Sequence, residues 1–527
     1  MRIKGLVYWV LAFCTSAALA QKPLVICGED DPESFDPGAS NWVATYDAAG
    51  SKIYNNLIEV APGPFKLEPA LATRWDISAD GLVYTLYLRH GVKWQTRPWF
   101  KPTREFNADD VLWTILRQID PKHPGAKAAP TGFPYAASGD WPHLIKSVDK
   151  VDDYTVRIVL YRPYAPMLSE MTIAGLGIVS AEYGQYLDKI GKPTQMGSQP
   201  IGTGPYQLAR YEKSAQIRYE ANPDYWRTKV GIDKLVVALV RDPAVRNQKL
   251  VAGECQLATI NGPQDVSVLE HDPHLTSKPS MSSATRLLFF NVKKPPLDDK
   301  RVRQALALAI DRRVIARTSY GNRAEPATGS YYSGRTLWGV DAAAKPIETD
   351  LARARALLAE AGYANGFETE IAVASSGSDK SLEQIAQLIQ SDEAKIGVRL
   401  KIVTLEWGEF SKRARMGELP ISTSTWMNFV DPDSIYVNLV TCGAISSGSN
   451  RAMYCNPKVD NLIDVGRTAQ SQTQRTQHYT ELEKLLRDEM PMTPVVYPIT
   501  TVFFDKHLQN VLPSAIQTYR AEDLRWN

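Results

Sequence analysis

Period-two alternation of apolar and polar side chains dominates the first part of the chain. Tyr84, Leu86 and Leu88 alternate with Thr85, Tyr87 and Arg89, the signature of a strand buried on one face. Asp80-Gly81, just before it, is a turn signal between two strand-like runs within residues 71–95. Leu24-Val25-Ile26 predicts a short apolar strand near the start. Residues 47–57 predict a helix carrying Ile53 and Leu57, and residues 40–42 a polar, aromatic loop ahead of it. Asn107 is a good N-cap for a helix over 109–118, whose acidic first turn suits the helix dipole. Residues 151–160 predict another hairpin strand, entered through Asp152-Asp153. Pro-Ile-Gly-Thr-Gly-Pro at 200–205 predicts a rigid turn into a strand over 206–211. It is not a phosphate loop, because no Lys-Ser/Thr follows.

From Arg286 the pattern changes. Residues 286–291 form an apolar run of strand length, and Val302, Ala305, Leu306 and Ala309 share one face of a helix over 298–311. A second helix, 349–361, is ended by Gly362. Then comes a β-α-β pattern: strand 368–374, helix 381–396 burying Leu382, Ile385, Leu388 and Ile389, and strand 398–403. Such a unit has parallel strands and a right-handed crossover, and ligands of open α/β sheets bind beyond the carboxyl ends of the strands. Loop 375–380 and stretch 426–433 therefore belong at a cleft edge. Residues 421–427 are β-prone with Trp426 near their end. Asp431-Pro432-Asp433 makes a turn, and Ile435, Leu439 and Val440 give one short helical face. Cys442 and Cys455 close a loop rich in Ser and Gly. A strand ending in an aromatic, an acidic turn and a stapled loop is how a rigid scaffold presents side chains to a cleft. The end of the chain holds a strand over 500–504 and a loop-rich tail. The pattern as a whole is α/β, in two lobes: a β-rich first lobe and a β-α-β second lobe.

The length of 527 residues suits several domains or one large multi-lobed unit, and 44% hydrophobic with 22% charged residues is ordinary globular composition. Residues 1–20 change the picture. Arg2 and Lys4 precede an apolar run over 5–14, and Ala18-Leu19-Ala20 is a cleavage signal. This reads as a secretory signal peptide with Gln21 as the mature start. Its removal takes the formal net charge from +2 to zero. No basic run supports nucleic-acid binding, and no further apolar run spans a bilayer. The mature chain keeps Cys27, Cys255, Cys442 and Cys455, which suggests two disulfides and allows three connectivities. The 442–455 pair is local and would restrain the unfolded chain by roughly 3 kcal/mol. That leaves Cys27 with Cys255, tying the first strand to a segment far along the chain.

Candidate chemistry is sparse. There is no G-x-S-x-G, H-E-x-x-H or C-x-x-C motif. His271 and His274, in HDPH, read as a surface loop, because the proline disfavours a helical metal face. Asp109-Asp110 and Asp298-Asp299 read as helix starts. No metal site, cofactor or catalytic residue is expected. The 12 Trp and 24 Tyr say more, since Trp42, Trp94, Trp99, Trp338, Trp407 and Trp426 fall in loops or at strand ends. A cleft lined by aromatics with a few polar groups is a ligand site. A secreted hydrolase whose catalytic groups form no known motif is the alternative.

Several motifs together resemble a known family. W-D-I-S-A-D-G and Y-L-R-H-G-V-K-W lie within residues 71–94. Phe106-Asn107-Ala108-Asp109-Asp110-Val111, the 200–205 turn, Pro223-Asp224-Tyr225-Trp226, Leu297-Asp298-Asp299 with Val302-Arg303-Gln304-Ala305, and residues 357–362 follow. Over residues 24–527 the chain resembles the periplasmic solute-binding proteins of the peptide and nickel class (family 5) of ABC importers. Within that family it is similar to the dipeptide-binding and Sap (antimicrobial-peptide-sensitivity) branches. The resemblance implies the two-lobed periplasmic binding protein fold (type II, large peptide-binding class). Lobe I would be 21–283 with an extra subdomain at about 56–200, lobe II 284–498, and 499–527 a segment returning to lobe I. It implies a periplasmic, monomeric protein without enzymatic activity that captures a peptide or peptide-like ligand and delivers it to membrane permease subunits. It supports the 27–255 and 442–455 disulfides. It also places Trp426, Asn428 and Ser376 at the cleft, with Asn41 and Trp42 facing them from lobe I. Dipeptide-binding relatives clamp the peptide's amino end with an Asp just before D-P-D; residues 426–430 read WMNFV, with Asn428 the nearest substitute. They hold the carboxylate with an Arg in the loop that reads SSGSDK at 375–380, where Ser376 stands near its position. The missing pair of anchors implies a ligand lacking at least one free terminus.

Overall fold

Two large sheets carry the chain in the computed structural model, which describes residues 22–40, 43–63, 65–260, 266–280, 284–334, 337–341, 343–375, 381–427, 431–514 and 519–527. The first sheet has seven strands in the spatial order Leu275–Ser280, Thr500–Asp505, Leu257–Ile260, Leu24–Gly28, Lys234–Leu239, Gln216–Ala221 and Tyr206–Glu212. The second has six, in the order Ala324–Pro326, Met492–Pro498, Ala284–Phe290, Ile421–Met427, Glu368–Ala374 and Arg399–Leu405. The chain passes from first to second sheet between Ser280 and Ala284, and Ile499 alone separates the strands by which it returns. Ser283, where the lobes are expected to divide, lies outside the described residues.

The first sheet shares one apolar core with a four-stranded antiparallel sheet in the order Ala72–Ile77, Val83–Leu88, Thr155–Leu160 and Ile145–Asp152. Tyr84, Leu86 and Leu88 point into that core, as their alternation requires. Gly81 takes a positive φ of 69° at the hairpin turn. The helix Ala108–Ile119 starts with a full capping box between Asn107 and Asp110. Its Arg117 reaches back to Asp36 with two bonds of 2.7 Å, both side chains buried.

The helix expected over 47–57 does not form. The chain makes one short turn at Val43–Thr45, continued by a wider π-type turn at Tyr46–Gly50, and then runs irregularly. Tertiary pairing explains this. The Lys52 and Ile53 carbonyls accept from the Tyr206 and Gly204 amides at 2.8 Å, and the Asn55 carbonyl accepts from the Ile178 amide at 3.0 Å. Those acceptors would otherwise serve the helix itself. The same contact accounts for the glycines of the 200–205 turn. A Cβ on Gly202 would lie 1.8 Å from the Ile53 oxygen, and one on Gly204 2.5 Å from its carbonyl carbon.

In the second sheet, Glu368–Ala374 pairs parallel with Arg399–Leu405, and the helix Ser381–Ala394 crosses between them, as the β-α-β pattern predicts. One face buries Leu288, Phe290, Ile371, Val373 and Ile421 under helices Lys300–Ala309, Leu351–Glu360 and Ser381–Ala394. The other face carries an aromatic core of Phe289, Tyr331, Tyr332, Tyr436 and Tyr479. It is covered partly by the antiparallel helices Pro457–Thr468 and Gln472–Glu489, which have no counterpart among the expected elements. The longer one is mostly polar, and its buried apolar stripe is only Tyr479, Leu482 and Leu486.

Candidate ligand cleft

The strands Glu368–Ala374, Arg399–Leu405 and Ile421–Met427 run in one direction, so Ala374, Leu405 and Met427 end at one edge of the sheet. Of the five expected cleft residues, Trp426 is described. Asn41, Trp42, Ser376 and Asn428 lie outside the described residues. Trp426 faces Thr285 on the neighbouring strand, and its ring packs on the aromatic core. Among the described residues its indole N–H is buried without an acceptor. A buried donor left unpaired in this way costs about 1–3 kcal/mol until it finds a partner. In the first lobe, Glu33 fixes both flanks of the Asn41-Trp42 segment. Its carboxylate accepts from Ser40 Oγ at 2.5 Å, and its amide donates to Thr45 Oγ1 at 3.1 Å.

The turn after Trp426 is built on charge pairs. Asp431 takes two bonds from Arg475, at 2.7 and 2.8 Å, and accepts the Asp433 amide at 3.0 Å. Burial raises the Asp431 pKa, with Arg475 opposing. Asp433 pairs with Arg467 at 2.9 Å. The two arginines come from the two C-terminal helices, so these helices fix the end of the strand that carries Trp426. Both acids are thereby occupied by protein cations.

Arg451, which no motif flags, extends from the loop between Cys442 and Cys455 into a group of aromatic rings. The rings come from Phe289 on one strand and from Trp407 and Phe410 on one helix, both far from Arg451 in sequence, so no spacing pattern reveals the assembly. The loop is closed by the Cys442–Cys455 disulfide, and Cys27–Cys255 joins the first strand to the start of its neighbour.

A cavity in the first lobe is lined in part by Tyr46, Ser51, Asn56, Glu59, Arg520 and Glu522. Its charges are largely satisfied: Arg227 bonds Glu59 at 2.7 Å, Tyr225 donates to Glu522 at 3.2 Å, and Arg520 pairs with Glu68. Burial, with Glu59 adding, pushes the Glu522 pKa up to about 7. His271 lies on the surface, with Nδ1 at 2.6 Å from the Ser267 carbonyl. Among the described residues no three His, Cys, Asp or Glu side chains converge as metal ligands, and no helix is long and apolar enough to cross a membrane.

Comparison with known proteins agrees with this geometry over nearly the full chain. Di/tripeptide-binding protein 2 of Pseudomonas aeruginosa (strain UCBPP-PA14) is 40% identical over 518 residues, 98% of this chain and 96% of that one. The structure of HbpA2 from Haemophilus parasuis superposes with a TM-score of 0.87 at 34% identity, covering 96% of this chain and all of that one. The ABC transporter-associated periplasmic binding protein DppA from Helicobacter pylori, in complex with the peptide STSA, gives 0.83 at 31% identity, covering 96% and 98%. None of these gives the hydrolase alternative any support. The profile of the bacterial extracellular solute-binding proteins, family 5, matches residues 66–447, and with full-length relatives of this similarity the chain belongs to that family.

Proposed function

We propose that this protein is the extracytoplasmic binding component of an ABC importer, capturing a peptide or peptide-like ligand between its two lobes and delivering it to membrane permease subunits. It acts as a monomer and performs no catalysis. The full-length likeness to a di/tripeptide-binding protein carries this reading. It gains support from the Trp426 N–H at the carboxyl edge of the second sheet, unpaired among the described residues and a donor suited to a ligand carbonyl. Trp426, Asn428 and Ser376 form one wall of the cleft, and Asn41 and Trp42 the other. An extended peptide binds by lending backbone groups to strand edges, which reads length and shape rather than sequence. Residues 1–20 are removed on export, and residues 21–283 with 499–527 form one lobe against 284–498.

Tryptophan fluorescence of the exported protein titrated with a defined peptide pool tests this, alongside mass spectrometry of whatever co-purifies. Saturable quenching with no hydrolysis products is the expected result. Product formation, or no peptide bound by either method, would sink the reading. N-terminal sequencing should begin at Gln21.

A further inference from the structure

The guanidinium carbon of Arg451 lies 5.6, 5.8 and 5.0 Å from the ring centres of Phe289, Trp407 and Phe410. Trp407 and Phe410 stack on each other at 5.9 Å. Three arginines on this side of the second sheet are matched by acids: Arg475 by Asp431, Arg467 by Asp433, Arg487 by Asp341. Arg451 differs. Among the described residues its guanidinium has neither a carboxylate partner nor a hydrogen-bond acceptor. It is partly buried, and burial alone pulls its pKa down to about 10 with no anion opposing. Aromatic faces stabilise such a cation but leave its five N–H donors unused.

Its place in the sheet matters as much as its chemistry. Phe289, Ser422 and Ala372 lie side by side across three strands on one face. Two residues nearer the cleft edge the same face shows Ser424 and Ala374, and two further on Trp426. Leu287, Ser424 and Ala374 lie between the Phe289 row and Trp426 on this face. At about 3.3 Å per residue, the Phe289 row and Trp426 are about 13 Å apart, the length of roughly four residues of extended peptide. Trp407 opens the helix that follows the carboxyl end of Arg399–Leu405, so the rings reach the same edge.

We infer that Arg451 is an anion anchor that takes a carboxylate of the ligand, with Trp426 donating to a ligand carbonyl a few residues away. The inference deepens the peptide reading and rests on it for the class of ligand. It makes the carboxyl end the one the protein recognises. The amino end, with no acid in WMNFV, is free to be blocked or extended. A bidentate, charge-assisted pair is roughly twice as strong as a neutral bond, so the preference should be large.

The test uses the oxidised, full-length exported protein. Calorimetry compares an N-acetylated tetrapeptide acid, its C-terminal amide, and the same amide carrying one Glu side chain, on wild type, Arg451→Met and Arg451→Lys. Wild type should bind the acid at least tenfold more tightly than the amide. Arg451→Met, whose side chain still fills the ring box, should bind both alike, and Arg451→Lys should keep part of the preference. Rescue by the Glu-bearing amide would assign the anchor to side-chain carboxylates rather than the terminal one. An acid-over-amide preference that survives unchanged in Arg451→Met overturns the inference while leaving the peptide reading intact. A second arm uses N-acetyl-leucine and N-acetyl-leucinamide as probes and reads phenylglyoxal modification of Arg451 by mass spectrometry. Protection by the acid alone supports the anchor even where no tetrapeptide binds, which would count against the peptide reading only. Equal protection by both, or none by either, overturns the anchor.

Discussion

The acids on either side of Pro432 show how the strand end that carries Trp426 is held. Asp431 and Arg475 form a two-bond pair with both side chains nearly sealed from water. A buried pair adds little over an apolar substitute, but removing one member strands a buried charge. Arg475→Met should therefore destabilise the protein by about 3–5 kcal/mol, read as a lower urea midpoint with unchanged slope. In the proposed cleft Trp426 serves binding as well as stability, since among the described residues its N–H has no acceptor. Trp426→Ala should weaken peptide binding by about 1–3 kcal/mol through lost packing. Asn428→Asp should strengthen binding of ligands with a free α-amino group by supplying the missing charge partner. Calorimetry on both variants decides this. If wild type already prefers simple dipeptides with free amino ends, another acid in the cleft already holds the α-amino group, and Asn428→Asp should add nothing.

At the scale of elements, the disulfide loop joins stability to recognition. Cys442 and Cys455 are 13 residues apart, and the closure they impose is worth roughly 3 kcal/mol. Arg451 hangs from that loop, so replacing both cysteines with serine should lower the melting temperature and also narrow the difference in affinity between carboxylate and amide ligands. A lower melting temperature with an unaltered acid preference would detach Arg451 from recognition. The loop was legible in sequence, as were the hairpins around Asp80-Gly81 and the β-α-β unit, because each is written in local periodicity and turn chemistry. Residues 47–57 were not, since their carbonyls are taken by partners more than a hundred residues away, and tertiary pairing overrides a weak helical pattern. The helix Gln472–Glu489 shows too thin an apolar stripe to stand out. The proposed cleft divides in the same way. Trp426 could be picked from a strand followed by an acidic turn. Arg451 could not, because its ring box is drawn from a strand and a helix both distant from its own loop, and the pairing of the D-P-D acids with Arg467 and Arg475 leaves no trace in spacing.

For the whole molecule, the chain's two crossings between sheets, after Ser280 and at Ile499, make a natural hinge, and ligand should draw the lobes together about it. Small-angle scattering should show a smaller radius of gyration with saturating peptide. The structure adds a reason for this closure to depend on pH. The unit built on the four-stranded sheet touches the second lobe where the Ala165 amide donates to the Arg467 carbonyl at 2.8 Å and the Arg467 guanidinium lies 5.4 Å from the Tyr164 ring. Beside this contact Glu170 accepts from Trp141 Nε1 at 2.5 Å and from the Tyr164 hydroxyl. Burial pushes its pKa up to about 7, Tyr164 and Trp141 oppose through their hydrogen bonds, Asp433 adds to the rise and Arg467 opposes it. Parting the lobes would admit water and carry Asp433 and Arg467 away, returning Glu170 toward an ordinary carboxyl pKa near 4.3. The closed form then holds its proton more tightly. Its advantage is complete below about pH 4, declines as pH rises from there to about 7, and is lost above that. The ligand-free protein should accordingly be more compact at pH 5 than at pH 8, and peptide affinity should fall over the same interval. Glu170→Gln, whose amide oxygen can still accept from Trp141 while its NH2 donates to the Tyr164 hydroxyl oxygen, removes the titration and should flatten both dependences while leaving affinity at pH 5 close to wild type. A pH profile of compaction identical in wild type and Glu170→Gln would place the proton elsewhere and remove Glu170 from the closure.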